Sequence, residues 1–210
     1  MRMTLPTFPA YYTTLDKLGW WALRGFGVAL LAFLLLPILV IVPLSFSSSS
    51  FLAYPVPGWS LQWYHNLFTS AEWLRAAKNS FIVAPAATVI ATVLGTLTAV
   101  GLARVQFPGK GLLMSVLIAP MVVPIVVVGV AAYLVFAQIG LADTYAGLIL
   151  VHAALGAPFV VTTVIATLQG FNQNLVRASL ACGATPIATF FRVTLPVIAP
   201  GVISGALFAF

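Results

Sequence analysis

Carboxylates are nearly absent: three Asp and Glu side chains stand among 210 residues, against nine Lys and Arg and a formal charge of +6. Charged residues make up 6% of the chain, 62% is hydrophobic, and mean hydropathy is +1.13. So little polar surface cannot cover a water-soluble globule. The scarcity of acids also leaves no paired carboxylates for acid-base work. No G-x-x-x-x-G-K-[ST], H-E-x-x-H or G-x-S-x-G pattern occurs, so no catalytic residue is assigned. Cysteine occurs once, at Cys182, which excludes an intramolecular disulfide and leaves the redox compartment open. The short alternating segments of a membrane barrel are missing as well.

What the chain does have is long apolar runs. A helix crosses a bilayer core with about 20 such residues and satisfies its own backbone while doing so. The runs predict an all-α polytopic membrane protein with spans at 26–46, 79–103, 112–136 and 145–168, and a fifth at 197–210. Residues 1–25 form an N-terminal segment, 47–78 an external loop, and 79–210 a core that includes a long loop at 169–196. The first run follows Arg2, Lys17 and Arg24, as a secretory signal would. It is longer than a signal's apolar region and is followed by Ser47 to Ser50 without a small-x-small cleavage site, so it is read as a retained anchor.

Basic residues orient these spans. With the N-terminus inside, Arg2, Lys17, Arg24, Arg104, Lys110, Arg177 and Arg192 are cytoplasmic, and Arg75 and Lys78 are external. The positive-inside rule therefore selects a cytoplasmic N-terminus, and the excess of cations needs no nucleic acid to explain it. Trp59, Trp63, Tyr64 and Trp73 crowd the external loop, as an aromatic belt or as a docking surface.

Small residues recur every four positions at Ala87, Ala91, Gly95, Ala99 and Ala103, and Gly201 with Gly205 form a shorter pair. Such stripes let helix backbones approach closely. Pro37, Pro85, Pro120, Pro124 and Pro158 lie within spans, where each frees a carbonyl and favours a kink. His152 is the clearly ionisable side chain at membrane depth. With Thr162 and Thr163 it is a candidate for a solute pathway, the alternative being hydrogen bonding between helices.

The stretch "NLVRASLACGATPIATFFRVTLP" interrupts this apolar pattern. Asn174 is placed to cap a helix over Leu175 to Cys182 that Gly183 ends in a left-handed conformation. Thr185 is placed to cap a second helix with Pro186 in its first turn and Pro196 as its stop. Ile187, Phe190, Phe191 and Thr194 then share one apolar face, to be covered by the bundle or by a partner's groove.

The spacing of Ala178, Gly183, Val193, Leu195 and Pro196 resembles the E-A-A, three residues, G, nine residues, I-x-L-P signature of ABC importer permeases, the inner-membrane subunits that work with a substrate-binding protein. Arg177 stands where the family usually has Glu, Ser179 where it has the second Ala, and Val193 where it has Ile. "WYHNLF", "LGTLTAVGLAR", "LIAPMVVPIVVVG" and "LILVHAALGAPFVV" extend the resemblance, which is to the polyamine-type branch.

The resemblance implies a type I importer bundle of about six transmembrane helices in a bacterial inner membrane. The ending "GALFAF" would then fall within the fifth helix of a longer chain. It implies a coupling loop built from Arg177, Ala178, Ser179, Gly183, Phe190, Phe191, Leu195 and Pro196, with Ala178 and Ser179 on its close-packed face. The implied partners are ATPase subunits carrying ATP and Mg, a second permease subunit in a heterodimer, and an external binding protein. No cofactor or metal is implied on this chain. The implied function is alternating-access import of putrescine or spermidine. A permease for iron, sulfate or phosphonate, or an uncoupled channel or scaffold, stays open beside it.

Overall fold

The computed structural model describes residues 8, 9 and 11–210; Arg2, counted in the charge asymmetry, lies outside them. Helices dominate the described residues, and the only extended pairing recorded is an isolated bridge between Ser47 and Trp59. Two compact units divide at Leu74 and Arg75.

The first unit contains helix α1, Thr14–Leu44, and the short helix α2, Gln62–Thr69. A capping box starts α1: Thr13 Oγ1 accepts from the Asp16 amide, and the Asp16 carboxylate accepts from the Thr13 amide at 2.8 Å. The loop between the helices is tied by the indole of Trp63, which donates to the Ser47 carbonyl at 2.9 Å, and by Tyr64 with Ser45 at 2.7 Å. Trp59 and Trp73 remain exposed.

The second unit continues helix α3, Ala71–Arg104, which begins eight residues ahead of the span expected at 79. Next come α4, Lys110–Val122, and α5, Ile125–Gln138, where one span over 112–136 was expected. They meet at 104°. At 1.5 Å per residue, helices of 13 and 14 residues reach only about 20 Å, short of a hydrocarbon core of about 30 Å. The cause is local. Pro124 disfavours helical backbone at the preceding residue, and Val123 is accordingly extended at φ −71°, ψ 131°.

Helix α6, Tyr145–Gln169, is the packing centre of this unit. Ala87, Ala91 and Ala99 of α3 are buried, and they cluster with Ala153, Val160 and Val164 of α6. A Cβ on Gly95 would lie 2.7 Å from the Val160 Cβ, so that glycine is required by the closeness of α3 and α6. Ala103 departs from the expected stripe and is exposed.

An adjoining face of α6 meets α9, Leu195–Ala209, so that Val160 touches both neighbours. Here a Cβ on Gly205 would lie 2.5 Å from Thr163 Oγ1 and 2.7 Å from the Val160 Cα. Helix α9 grows without interruption from the short α8, Pro186–Thr189, through a π turn, Phe190–Thr194. The run Pro186–Ala209 is therefore a single 24-residue apolar segment, and Pro196 does not stop it. The Leu195 amide bonds the Phe190 carbonyl five residues back, and this wider turn admits Pro196 in the first turn of α9. Between α6 and α8 lies α7, Asn174–Ala181.

Two glycine substitutions separate packing from propensity. Gly205→Val should lower the melting temperature of the detergent-solubilised protein, because overpacking a close seam costs about 1–3 kcal/mol. Gly101→Ala, with nothing within 4 Å of its added Cβ, should leave it unchanged or raise it. Size-exclusion profiles after graded heating check both.

Candidate functional site

Residues 171–196 build a cap on one end of the α3, α6, α9 seam. Phe171 is buried, and Val176 of α7 packs against the same core cluster as Phe190 and Leu195. Asn172 starts α7, its side-chain oxygen accepting from the Asn174 amide at 3.0 Å. Asn174 is the first helical residue and not the cap, a position held by Gln173 without a side-chain bond.

The turn after α7 follows the expected chemistry. Gly183 has φ +85°, its amide bonds the Leu180 carbonyl at 3.0 Å, and the Ala184 amide bonds the Ser179 carbonyl at 3.1 Å. That pair of bonds is the Schellman arrangement, which closes orphan carbonyls at a helix end. Thr185 then caps α8, its hydroxyl accepting from the Ala188 amide at 3.2 Å. The Ser179 and Thr189 hydroxyls share a 3.0 Å hydrogen bond that joins α7 to α8.

The face expected over Ile187, Phe190, Phe191 and Thr194 is not the one that packs. Thr189 and Thr194 are buried and Phe190 is half-buried, whereas Ile187 and Phe191 are exposed. In an α-helix, residues five apart are 1.4 turns apart and face differently. The π turn spaces hydrogen bonds by five residues and so brings Thr189 and Thr194 to one side. Periodicity of 3.6 residues could not reveal this; "FFRVTLP", with a proline that had to be accommodated, was the available signal.

Of the coupling-loop candidates, Ser179, Phe190 and Leu195 lie inward or half-buried, and Arg177, Ala178, Gly183, Phe191 and Pro196 lie exposed. Leu175, Leu180 and Ile187 are exposed as well, so the outer surface of this cap is apolar with Arg177 and Arg192 among it.

The second group of candidates lies on α6. His152 Nδ1 is 2.9 Å from the Leu148 carbonyl. A carbonyl only accepts, so Nδ1 carries the proton, and in the neutral ring Nε2 is left as an acceptor. His152 borders two cavities, of about 470 Å³ against α5 and about 500 Å³ against the start of α3. Thr162 and Thr163 stand ten and eleven residues on, about 15 Å along the helix at 1.5 Å per residue. Thr162 donates to the Pro158 and Phe159 carbonyls, and Thr163 to Phe159 at 2.9 Å. Thr163 also lies in the seam against Gly205. The structure therefore does not bring the three together. Asp143, Asn79 and Tyr145 were not singled out by the sequence. The Tyr145 hydroxyl donates to Asn79 Oδ1 at 2.7 Å, a pairing across 66 residues that no local pattern announces.

Four likenesses to known proteins bear on the chain. Residues 91–210 match the family described as binding-protein-dependent transport system inner membrane component. The spermidine/putrescine transport system permease protein PotC of Haemophilus influenzae is 31% identical over 187 residues, covering 89% of this chain and 72% of that one. The putrescine transport system permease protein PotI of Escherichia coli K12 is 34% identical over 185 residues, covering 85% of this chain and 66% of that one. A solved bacterial ABC transporter involved in import of the acidic polysaccharide alginate shares the fold, with a TM-score of 0.63 at 19% identity over 87% of this chain and 69% of that one. The match over the seam, the cap and α9 is decisive: the chain belongs to the inner-membrane permease components of binding-protein-dependent transport systems.

Proposed function

We propose that this permease subunit imports polyamines of the putrescine and spermidine class. Solute arrives on an external binding protein, and separate ATPase subunits that hold ATP and Mg drive alternating access through a heterodimer of permease chains. The observation that carries the reading is the 31–34% identity to PotC and PotI over most of the chain. The exposed cap supports the coupling half. Leu175, Leu180, Ile187 and Phe191 offer an apolar surface held rigidly on the α3, α6, α9 seam, and a helix of this kind suits a groove on an ATPase. Arg177 and Arg192 on this cap fit a cytoplasmic placement with the N-terminus inside. His152 is the pathway residue in this reading, because it borders both cavities and its Nε2 can accept from an ammonium group, whereas Thr162 and Thr163 line neither cavity and Thr163 lies in the seam against Gly205.

ATP hydrolysis by the complete transporter in nanodiscs tests the solute. Stimulation that requires both binding protein and spermidine or putrescine is expected. Robust hydrolysis indifferent to polyamines would move the solute to another class.

Gly183 tests the coupling. No atom lies within 4 Å of its added Cβ, so a substitution acts through φ +85° alone. Gly183→Val should cost about 1–2 kcal/mol of local backbone strain and reduce uptake severalfold at normal expression, while Gly183→Asn, which tolerates the left-handed region, should largely restore it. Equal uptake by both variants and the parent would remove this turn from coupling.

A further inference from the structure

Asp143 is the one carboxylate between Arg75 and Phe210. It stands in the turn between α5 and α6 with φ +58°, the one non-glycine residue with positive φ among those described. A residue in that region ordinarily serves the turn itself, and Asn or Gly would serve as well. Asp143 is also not the cap of α6. Thr144 has that role, its hydroxyl accepting from the Gly147 amide at 3.0 Å and donating to the Leu141 carbonyl at 2.7 Å. Neither the cap nor the positive φ therefore requires the negative charge at 143, and the α6 dipole is the one backbone feature that favours it.

The same carboxylate borders the cavity of about 470 Å³ between α5 and α6 that His152 borders farther along. Eight residues separate Thr144 from His152, about 12 Å along α6 at 1.5 Å per residue. Tyr133 and Phe136 of α5 line the cavity between helices, together with Leu148 and Val151 of α6. Asp143, two aromatic residues, apolar side chains and the His152 imidazole thus line one cavity. An alkylammonium chain asks for these groups: an anion for its charge, ring faces for cation–π contact, apolar wall for its methylenes, and an acceptor for N–H donors.

We propose that the α5–α6 cavity is a binding vestibule for a flexible alkyl polyammonium ion, with Asp143 in the turn at one end of its lining and His152 farther along its α6 wall. This rests on the polyamine reading above and deepens it, because it places solute on the permease itself as well as on the binding protein. Asp143 supplies the charge contact, Tyr133 and Phe136 hold the chain, and His152 Nε2 accepts from an ammonium N–H.

Direct binding of labelled spermidine to the complete transporter in nanodiscs, without binding protein, tests this. The parent should bind spermidine, putrescine should compete, and neutral 1,4-butanediol should not. Asp143→Asn and Asp143→Gly both keep a residue that tolerates φ +58°, and each should weaken binding about tenfold, as loss of a charge-assisted contact does. Basal ATP hydrolysis and melting temperature serve as controls, since a carboxylate that only complements the α6 dipole would shift stability and leave spermidine binding unchanged. Parent-like binding by both variants, or no spermidine binding by the parent, overturns the vestibule. In that event polyamine-stimulated ATP hydrolysis decides separately whether the import reading stands.

Discussion

Close approach of α3 and α9 to α6 is the constraint on which the second unit depends. In lipid, apolar side chains gain little by leaving one hydrocarbon surface for another, so helices associate where small residues allow dense contact. Gly95 of α3 fits against Val160, and Gly205 of α9 fits against the same Val160 and against Thr163. Gly156 is pressed between them, with an added Cβ 2.9 Å from Ala209 and 3.4 Å from Ala91. One turn or two of α6 therefore fixes both neighbours at once. A change there is transmitted to α9, and through the continuous π turn to α8.

This continuity gives the cap its mechanical meaning. Were Pro196 a true stop, a flexible joint would separate the cap from the membrane helix. Instead α8, the π turn and α9 form one rod, and α7 is fastened to it by the Ser179–Thr189 hydrogen bond and by Val176 in the core. A push on the outer face of α7 is then carried to α9. The rod's weak point is the π turn, since the Thr194 hydroxyl is buried without a hydrogen-bond partner beside it. Burying a hydroxyl unpaired is unfavourable by about 1–3 kcal/mol, which keeps this segment from being a deep minimum.

Much of this was legible in the sequence for reasons that are local. Membrane helices announce themselves by length and hydropathy, Gly183 by its place after an apolar run, and Thr185–Pro186 by capping chemistry that acts within three residues. Ala87, Ala91, Gly95 and Ala99 were legible because α3 is regular through them. What was hidden depended on irregular or distant geometry. Ala103 left the stripe because α3 ends at Arg104, where the seam no longer follows it. Pro124 was read as a kink, yet its effect on Val123 turned the chain by 104°. The π turn reversed the sides of Ile187 and Thr189. Thr163 looked like a pathway group from its polarity alone, but only the position of Gly205 reveals that it is part of the seam.

The distribution of charge ties cap and cavity together. In the proposed import of a cation, a subunit whose other end bears Arg177 and Arg192 requires attraction where solute enters and no strong hold beyond it. Conduction of an ion needs sites favourable enough to enter and weak enough to leave. In the proposed vestibule, Asp143 at the α5–α6 turn followed by the His152 imidazole would meet both demands. A second carboxylate near His152 would bind an ammonium group by a charge pair in low dielectric, where such attraction grows severalfold over its value in water.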